Sequence, residues 1–412
     1  QAVAGSSNQI AENTLRDIVR RLVLKMAHRL LTLLLLACIG PSVGLTWVEA
    51  ENLSLIGRHF QNLPSRYARL PREAQSKVRD AIWGLSLDSA GLAVAFESNA
   101  SSISVAYELT TASLALDNMP ASAVSGVDLW AADPSTGSWR WVAIAMPITQ
   151  NISKRLLQLQ PRRTPGAVWP SRWLLYFPLY NGVSSLRIGV PDGSSLGPCS
   201  GDCGLGLGER PVVWYGSSIT QGACASKPGD AYTNAIARAL RRPVANFGFA
   251  GTCFYEPEVV DFLLAIDAAL YVVDCNPNSE AMGFDFVHNR SVALVRYMRQ
   301  LKPDVTIVVA SGTKMGPVWL EGTDNQHARG TRALSRAYDE LVTQGLGRGL
   351  SFVDVGEIYA QPDGGIFWEM TVDGLHPSSL GMEQITHFWA PILLERLTYS
   401  GGLGGRVHVI YR

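Results

Sequence analysis

The sequence predicts an all-β sandwich or jelly-roll domain followed by an α/β domain built on a doubly wound parallel sheet. Two observations predict this order. Stretches of alternating polarity run to about residue 195, and apolar strand-like runs alternate with helical patterns from Arg210 onward. The chain has 412 residues, which corresponds to two or three domains at roughly 100–200 residues each.

The first segment, residues 1–50, is interpreted as a leader. Residues 26–50 begin MAHRLLTLLLLACIG, a basic start followed by a short apolar run. The run is shorter than the roughly 20 residues that span a bilayer. Its pattern is typical of a secretory signal peptide that ends near Gly44 or Ala50, so no stable membrane span is expected after cleavage. Residues 1–25 are interpreted as an upstream extension, and an uncleaved signal anchor is the alternative for the apolar run.

The second segment, residues 51–195, is predicted to be the β domain. Its alternating stretches are separated by turn residues and fall at 91–98, 102–109, 126–132, 139–145, 173–180 and 185–191. Such short, regularly spaced strands are typical of a sandwich. One helical stretch is expected near Pro71–Ile82.

Residues 196–209 are rich in glycine and serine and are predicted to be a linker. Cys199 and Cys203 lie in this segment, and in an oxidising compartment their closeness predicts a local disulfide rather than a zinc site. Three further cysteines lie in the second domain: Cys224, Cys253 and Cys275. They are interpreted as buried free thiols or as one disulfide, because a catalytic cysteine would need its own base.

Residues 210–400 alternate between strand and helix, and residues 401–412 are predicted to be a tail. The strands are expected at 211–216, 244–249, 269–274, 305–310 and 351–355. The helices are expected at about 231–241, 256–266, 285–300, 331–344 and 378–397. In open parallel sheets the active site forms at the carboxyl ends of the strands, so the loops after these strands are where catalytic residues are expected.

Four of those loops carry residues suited to nucleophilic catalysis, with GSSITQG after the first strand and DGLHP well after the fifth. Ser218 in the first loop is a candidate nucleophile, because a serine hydroxyl needs a neighbouring base and His376 can take its proton. Asp373 lies three residues before that histidine in the loop and can orient it through the other ring nitrogen. The pattern therefore predicts a Ser218–His376–Asp373 catalytic triad.

Candidate donors for an oxyanion come from the Ser218 backbone and from the other two loops. The backbone N–H groups of Ser218 and Gly251 are candidates, because glycine lets the main chain approach a substrate closely. An asparagine side chain of the sequence DCNPN is the third candidate, either Asn276 or Asn278.

These four segments resemble the motif blocks of the SGNH (GDSL-like) hydrolase superfamily, in sequence order. The resemblance implies a flavodoxin-like fold, the triad named above and an oxyanion hole formed by Ser218, Gly251 and an asparagine. The family's asparagine matches Asn276 in a strict alignment and Asn278 in the D-x-x-P-N variant, which we prefer. Ser217 departs from the family pattern, which has aspartate before the nucleophile.

The first domain also carries a resemblance. SGVDLW at 125–130 and LYFPLYNGV at 175–183 resemble the β-rich GxDLY domain, which precedes the hydrolase domain in a subgroup of secreted esterases. The co-occurrence of the two domains is more specific than either motif alone.

The balance of charged residues limits the classes of binding partner. The chain has 35 Lys and Arg against 35 Asp and Glu, which argues against a strongly basic nucleic-acid-binding protein and against an acidic disordered chain. Four N-x-S/T sites are expected to carry glycans in a eukaryotic secretory pathway: Asn52, Asn99, Asn151 and Asn289. These sites and the signal peptide predict secretion. The oligomeric state is left open.

The leading functional hypothesis is a secreted serine esterase that acts on short acyl groups such as acetate, with carbohydrate esters as the substrate class. This substrate class is implied by the family resemblance and not by the predicted fold, because a fold does not fix a substrate. The triad requires no metal or organic cofactor, so none is expected. The alternatives are a glycan-binding protein on a degenerate scaffold, and an acyltransferase, lipid hydrolase or thioester hydrolase that uses the same triad.

Overall fold

The computed structural model describes residues 44–159, 168–314, 316, 320, 322, 324–359, 367–398 and 405–407. The predicted leader up to residue 43 lies outside the described residues. From Thr46 onward the described residues belong to one unit, whose first part is an antiparallel β domain and whose second part is an α/β domain. Within the described part of the chain, no helix is both long and apolar enough to cross a bilayer.

Among the described residues, ten strands precede the α/β domain. They are β1 (Leu45–Glu49), β2 (Ser54–Ile56), β3 (Ala93–Ser98), β4 (Ser102–Leu109), β5 (Val127–Ala132), β6 (Trp139–Ala145), β7 (Asn151–Gln158), β8 (Arg172–Tyr176), β9 (Val183–Pro191) and β10 (Leu196–Gly197). Two short helices accompany them, α1 (Asp80–Ser86) and α2 (Ala121–Val124), with 3-10 turns at Ala50–Asn52 and Arg72–Ala74.

These strands form two sheets that share a core. One sheet has the order β1-β9-β4-β7, and the other has the order β10-β3-β8-β5-β6, with β2 paired to β3. Alternate side chains of five strands point into the shared core, which is the period-two burial expected of a sandwich. They are Val94 and Phe96, Ile103 and Val105, Val127 and Leu129, Trp173 and Leu175, and Leu186 and Ile188.

The edges of this domain differ from the predicted boundaries. Strand β1 lies ahead of the predicted start at residue 51, and Ala50 is fully buried in the core. The predicted linker 196–209 is part of the fold, because β10 pairs with β3 and the buried Cys203 and Leu205 pack against the outer face of that sheet. The glycine-rich composition of residues 196–209 indicates a flexible segment. It does not reveal that a few side chains of the segment pack against a sheet.

Six parallel strands of the α/β domain are described. They are β11 (Val212–Gly216), β12 (Val244–Gly248), β13 (Leu270–Asp274), β14 (Ile307–Ala310), β15 (Leu350–Val353) and β16 (Gly405–Val407). Strand β16 pairs with β15 and lies in the predicted tail 401–412, of which only these three residues are described. A tail too short to show a pattern gave no sign of this strand.

Seven helices of this domain are described. They are α3 (Ser218–Gln221), α4 (Tyr232–Leu240), α5 (Pro257–Leu264), α6 (Asn276–Ser279), α7 (Phe284–Leu301), α8 (Gln326–Thr343) and α9 (Ser379–Thr398). Three 3-10 turns accompany them at Pro228–Asp230, Glu280–Met282 and Trp368–Met370.

The parallel sheet has the order β12-β11-β13-β14-β15-β16, which is a doubly wound topology. Strands β11 to β15 are buried on both faces. Val213 and Tyr215 of β11 pack into one hydrophobic cluster, whereas Val212 and Trp214 pack into a second cluster on the opposite face. Continuous apolar strands are the consequence of this double burial.

The register of the sheet determines where the functional loops meet. Gly216, the last residue of β11, lies opposite Gly248 of β12 and opposite Asp274 of β13. The chain leaves β11 toward one side of the sheet and later returns to its other side, so these three carboxyl ends flank the topological switch point. The loops with Ser218, Gly251 and Asn278 therefore begin side by side.

Candidate active site

Ser218 is the first residue of the short helix α3, directly after β11. The preceding Ser217 caps the helix, and its hydroxyl accepts a hydrogen bond from the N–H of Ile219 at 3.3 Å. The end of β12 packs closely beneath this helix, since a Cβ at Gly248 would lie 2.1 Å from the backbone nitrogen of Gln221. The sheet and the cap thus hold the Ser218 backbone in one position.

Asp373 and His376 lie on the loop that leads into α9. A bridge between Thr371 and Pro377 closes this loop, and the N–H of Val372 donates to the carbonyl of His376 at 2.9 Å. The carboxylate oxygen Oδ1 of Asp373 accepts the backbone N–H of His376 at 2.8 Å. The loop therefore places carboxylate and imidazole side by side.

The three predicted triad residues meet in a continuous hydrogen-bonded array. Ser218 Oγ lies 2.9 Å from His376 Nε2, and His376 Nδ1 lies 2.7 Å from Asp373 Oδ2. The His376 side chain is 19% exposed and that of Asp373 is 34% exposed, so a substrate can reach the site from solvent. This is the geometry that a serine nucleophile, a base and an orienting carboxylate require.

The environment of Asp373 favours its charged form. Partial burial by itself raises the pKa of this carboxyl, but hydrogen bonds from the backbone and ring of His376 and from Asn118 hold it well below its usual range. The carboxylate is therefore ionised at neutral pH and can stabilise a positive charge on the imidazole.

Candidate oxyanion donors surround the serine. The N–H of Ser218 is the first of a helix, and such amides have no acceptor within the helix. Gly251 has a φ of +68°, which favours glycine, and a Cβ there would meet open space. Asn278 is half-buried, and its Oδ1 accepts the N–H of Cys253 at 3.1 Å. This bond leaves the Asn278 amide nitrogen, a donor, without a partner among the described residues.

Asn276 has a different environment. It is fully buried, and its amide nitrogen donates to Glu280 Oε2 at 3.0 Å. Gly312 and Gly330 both lie close to this side chain. Asn276 therefore anchors the turn that carries Asn278, and of the two asparagines only Asn278 retains an amide available for a substrate.

The cysteines after the motif residues pair in a way that the sequence left open. Cys253 and Cys275 form a disulfide, which joins the loop of Gly251 to the loop of Asn278. Cys199 and Cys203 form the second disulfide. Cys224 is a buried free thiol.

The β domain contributes contacts that sequence reasoning missed. Asn118 donates a hydrogen bond to Asp373 Oδ2 at 3.0 Å. Arg69 is almost fully buried and donates to the carbonyl of Gly248 at 2.7 Å. Gln221 donates to Asp88 Oδ2 at 3.0 Å and accepts from the N–H of Ala250 at 3.2 Å. Asn118, Arg69 and Asp88 lie outside the motif loops, so a single sequence offers no signal for them.

One group of side chains meets the distance requirement for a metal site among the described residues. Ligand atoms of Cys224, Asp373 and His376 lie within 4.8 Å of one another. Burial, followed by the charge of Asp373, raises the pKa of the Cys224 thiol to about 12. The thiol donates to the carbonyl of Asn118 at 3.3 Å. A protonated thiol is a poor metal ligand, so these residues fit a hydrogen-bonded array better than a metal centre.

Comparisons with known proteins agree with the order of the two domains along the chain. Residues 45–196 match the GxDLY N-terminus of SGNH-hydrolase-type esterases, and residues 209–394 match the GDSL-like lipase/acylhydrolase family. The chain belongs to the SGNH (GDSL-like) hydrolase superfamily. A comparison with curated proteins gave no match.

Solved structures resemble this chain over most of its length. A Bacteroides ovatus protein assigned as a GDSL-like lipase has 27% identity and a TM-score of 0.74, over 86% of this chain and 98% of its own. A salicylyl-acyltransferase from a tetracycline biosynthetic pathway has 17% identity and a TM-score of 0.62, over 85% and 97%. A family two carbohydrate esterase from Cellvibrio japonicus has 12% identity and a TM-score of 0.54, over 86% and 99%.

The family match and the first of these structures place the SGNH hydrolase among the carboxylic ester hydrolases. The other two share its fold. The residues of the four motif loops lie at the positions described above, at the carboxyl edge of the parallel sheet.

Proposed function

We propose that this protein is a secreted serine esterase that hydrolyses short acyl esters, acetyl esters of carbohydrates above all, through an acyl-enzyme on Ser218. The proposal depends mainly on one observation, the array in which Ser218 Oγ lies 2.9 Å from His376 Nε2 and His376 Nδ1 lies 2.7 Å from Asp373. Holding three side chains at these distances costs conformational freedom. The arrangement allows proton transfer from Ser218 to His376, which is the step that a serine esterase requires.

In the acylation half, Ser218 Oγ attacks the ester carbonyl carbon while His376 Nε2 takes the hydroxyl proton. The carbonyl oxygen becomes an oxyanion and accepts hydrogen bonds from the Ser218 N–H, the Gly251 N–H and the Asn278 amide. The C–O bond to the alcohol then breaks, and the imidazolium returns the proton to the departing alkoxide. Asp373 stabilises the imidazolium throughout.

In the deacylation half, a water molecule donates its proton to His376 and attacks the acyl carbon. The bond to Ser218 Oγ breaks, the serine regains the proton, and the carboxylic acid leaves. An alcohol in place of water would give acyl transfer, which is the second candidate function. The similarity of fold to a salicylyl-acyltransferase is the reason for including acyl transfer as a candidate function.

Carbohydrate esters are proposed as the substrate class on two grounds. The carbohydrate esterase of similar fold matches 86% of this chain and 99% of its own, so the structural similarity extends beyond the α/β domain. The motif loops near the serine are built of small and polar residues, such as Gly251 and Thr252. Such loops suit a small acyl group and a polar alcohol.

The test is hydrolysis of p-nitrophenyl esters of increasing acyl length and of acetylated xylan by the wild type and by Ser218→Ala. Ser76→Ala is the matched control, since Ser76 is exposed and lies outside the motifs. We expect turnover that is highest for acetate, unchanged in the control and lost in Ser218→Ala. A fluorophosphonate probe should label the wild type and the control only.

Equal rates in the wild type and Ser218→Ala would overturn the proposal. Binding on a glycan array without turnover and without probe labelling would favour the non-catalytic alternative. Acylated alcohol in place of free acid, measured by mass spectrometry with alcohol acceptors present, would favour the transferase.

Secretion is part of the proposal. Two disulfides support an oxidising compartment, and the asparagines of all four N-x-S/T sites are exposed. A cut after Gly44 keeps strand β1, whereas a cut after Ala50 removes it. Expression from Met26 in a eukaryotic host should give a product in the medium that begins near Leu45 and loses mass with peptide-N-glycosidase. Retention of the full leader inside the cell would contradict secretion.

A further inference from the structure

A tight turn of the β domain reaches the catalytic loop. Leu116 and Met119 form an isolated antiparallel bridge, and their backbones exchange two hydrogen bonds of 3.0 Å each. Met119 is only 2% exposed and packs in the hydrophobic cluster of the α/β domain that also contains Ile219 and Cys224. Both the shape of the turn and its position against the catalytic domain are thus fixed.

Asn118 lies within this turn and has two contacts with the active site. Its side-chain amide donates to Asp373 Oδ2 at 3.0 Å, the same oxygen that lies 2.7 Å from His376 Nδ1. Its backbone carbonyl accepts the thiol hydrogen of Cys224 at 3.3 Å. Asn118 is therefore held from two directions.

The other contacts of the Asp373 side chain are local. Its Oδ1 accepts the N–H groups of Leu375 at 3.1 Å and of His376 at 2.8 Å, both from its own loop. Among the described residues, Asn118 supplies the one hydrogen bond to this carboxylate from outside the loop. Local bonds fix the carboxylate relative to its loop, whereas only a bond from another element fixes it relative to the rest of the site.

We propose that Asn118 is a positioning residue through which the β domain orients the Asp373 carboxylate, and with it the ring of His376, toward Ser218. The proposal rests on the proposed serine esterase function. A neutral amide is suited to this role, because it donates to the carboxylate without neutralising the charge that stabilises the imidazolium.

The test compares Asn118→Ala and Asn118→Asp with Asp117→Ala. Asp117 is the matched control, because it is exposed, lies in the same turn and makes no described hydrogen bond. We expect kcat on p-nitrophenyl acetate to fall about 10- to 100-fold in Asn118→Ala with KM within about twofold of wild type, since a misplaced catalytic group costs rate more than binding. The control should retain wild-type kcat and KM.

The aspartate variant separates positioning from a structural role. A second carboxylate beside Asp373 adds negative charge next to the imidazole. The acid limb of the kcat/KM profile should therefore move to higher pH in Asn118→Asp but much less in Asn118→Ala. The thermal midpoints of all three variants should stay close to that of the wild type.

Two results would overturn the proposal: an Asn118→Ala enzyme with wild-type kcat, or an equal loss of kcat in Asp117→Ala. Failure of the esterase function looks different, because then the wild type itself turns over no ester and is not labelled by a fluorophosphonate. In that case the low-field proton resonance of His376 Nδ1 decides. Positioning predicts that this resonance is shifted or broadened in Asn118→Ala but not in Asp117→Ala, and an unchanged resonance would refute it.

Discussion

The backbone N–H of Cys253 donates a hydrogen bond to Oδ1 of Asn278 at 3.1 Å. An amide side chain that accepts through its oxygen must present its nitrogen elsewhere, so this bond fixes which end of Asn278 can face a substrate. Asn276, two residues earlier, donates a hydrogen bond from its amide nitrogen to the buried Glu280. The two asparagines are thus distinguished by their partners rather than by their spacing.

The first prediction separates these two residues. Asn278→Ala should lower kcat by about 10²- to 10³-fold with little change in KM, as expected for the loss of one oxyanion donor. Asn276→Ala should lower the free energy of unfolding by about 1–3 kcal/mol, because it leaves the buried Glu280 carboxyl without its donor. Steady-state kinetics and urea denaturation of both variants measure the two effects. A larger kcat loss in Asn276→Ala would reverse the assignment.

The second prediction concerns the triad carboxylate. Asp373→Asn should lower kcat by about 10³- to 10⁴-fold at neutral pH, because an amide would no longer fix the required tautomer of His376 or stabilise its positive charge. Ester hydrolysis and the thermal midpoint should be measured beside Asp80→Asn, an exposed aspartate outside the site. Retention of more than about a tenth of the wild-type kcat would show that Asp373 is dispensable.

The third prediction concerns the disulfide between Cys253 and Cys275, which has a sequence separation of 22 residues. Replacing both cysteines by alanine should lower the free energy of unfolding by about 3 kcal/mol, on the loop-entropy account of disulfides. It should also lower kcat about tenfold, because the loops with Gly251 and Asn278 lose the bond that joins them.

The matched control for that variant is the double alanine replacement of Cys199 and Cys203, whose separation is 4 residues. Because the closed loop is shorter and lies away from the motif loops, the loss of stability should be smaller and kcat should not change. Guanidinium denaturation and p-nitrophenyl acetate kinetics give both quantities. Equal kcat in the two double variants would contradict the functional role of the first disulfide.

The fourth prediction concerns the buried carboxyl of Asp274, which lies at the end of β13 opposite Gly216. Burial raises the pKa of Asp274 to about 7, against hydrogen bonds from Thr220 and Tyr232. An unfolded aspartate has a pKa near 3.9. Between these values the folded protein retains a proton that the unfolded chain has lost. The contribution of Asp274 to the free energy of unfolding therefore falls as the pH rises from about 4 to about 7.

Asp274→Asn removes this titration. The free energy of unfolding of the variant minus that of the wild type should increase with pH over this window, by at most about 1.4 kcal/mol per pH unit, and level off above it. Denaturation at several pH values measures the difference, with the exposed Asp117→Asn as a control that should show none. A difference that does not vary with pH would mean that Asp274 is already charged in the folded protein at acid pH.

Much of the fold was accessible from local patterns. The period-two burial of residues such as Val94 and Phe96 is visible as alternation, and burial on both faces makes β11 a continuous apolar run. The loops at the carboxyl ends of those runs are the ones that bring Ser218, His376 and Asp373 within hydrogen-bond distance. The pattern did not reveal β1, β2, β7, β10 or β16 as strands. Four of them have only two to five residues, too few positions for a period to emerge. Strand β7 has eight residues, but its burial does not alternate along the strand.

By itself the sequence determined the order of the two domains and the carboxyl edge of the sheet, and it predicted the residues of a catalytic triad. Each of these follows from neighbours along the chain. Only the tertiary structure decided which asparagine keeps a free amide, that Cys253 pairs with Cys275, and that Asn118 lies against Asp373, 255 positions away. Such contacts depend on how one element packs against another, and packing brings together residues whose spacing in the chain carries no periodic signal.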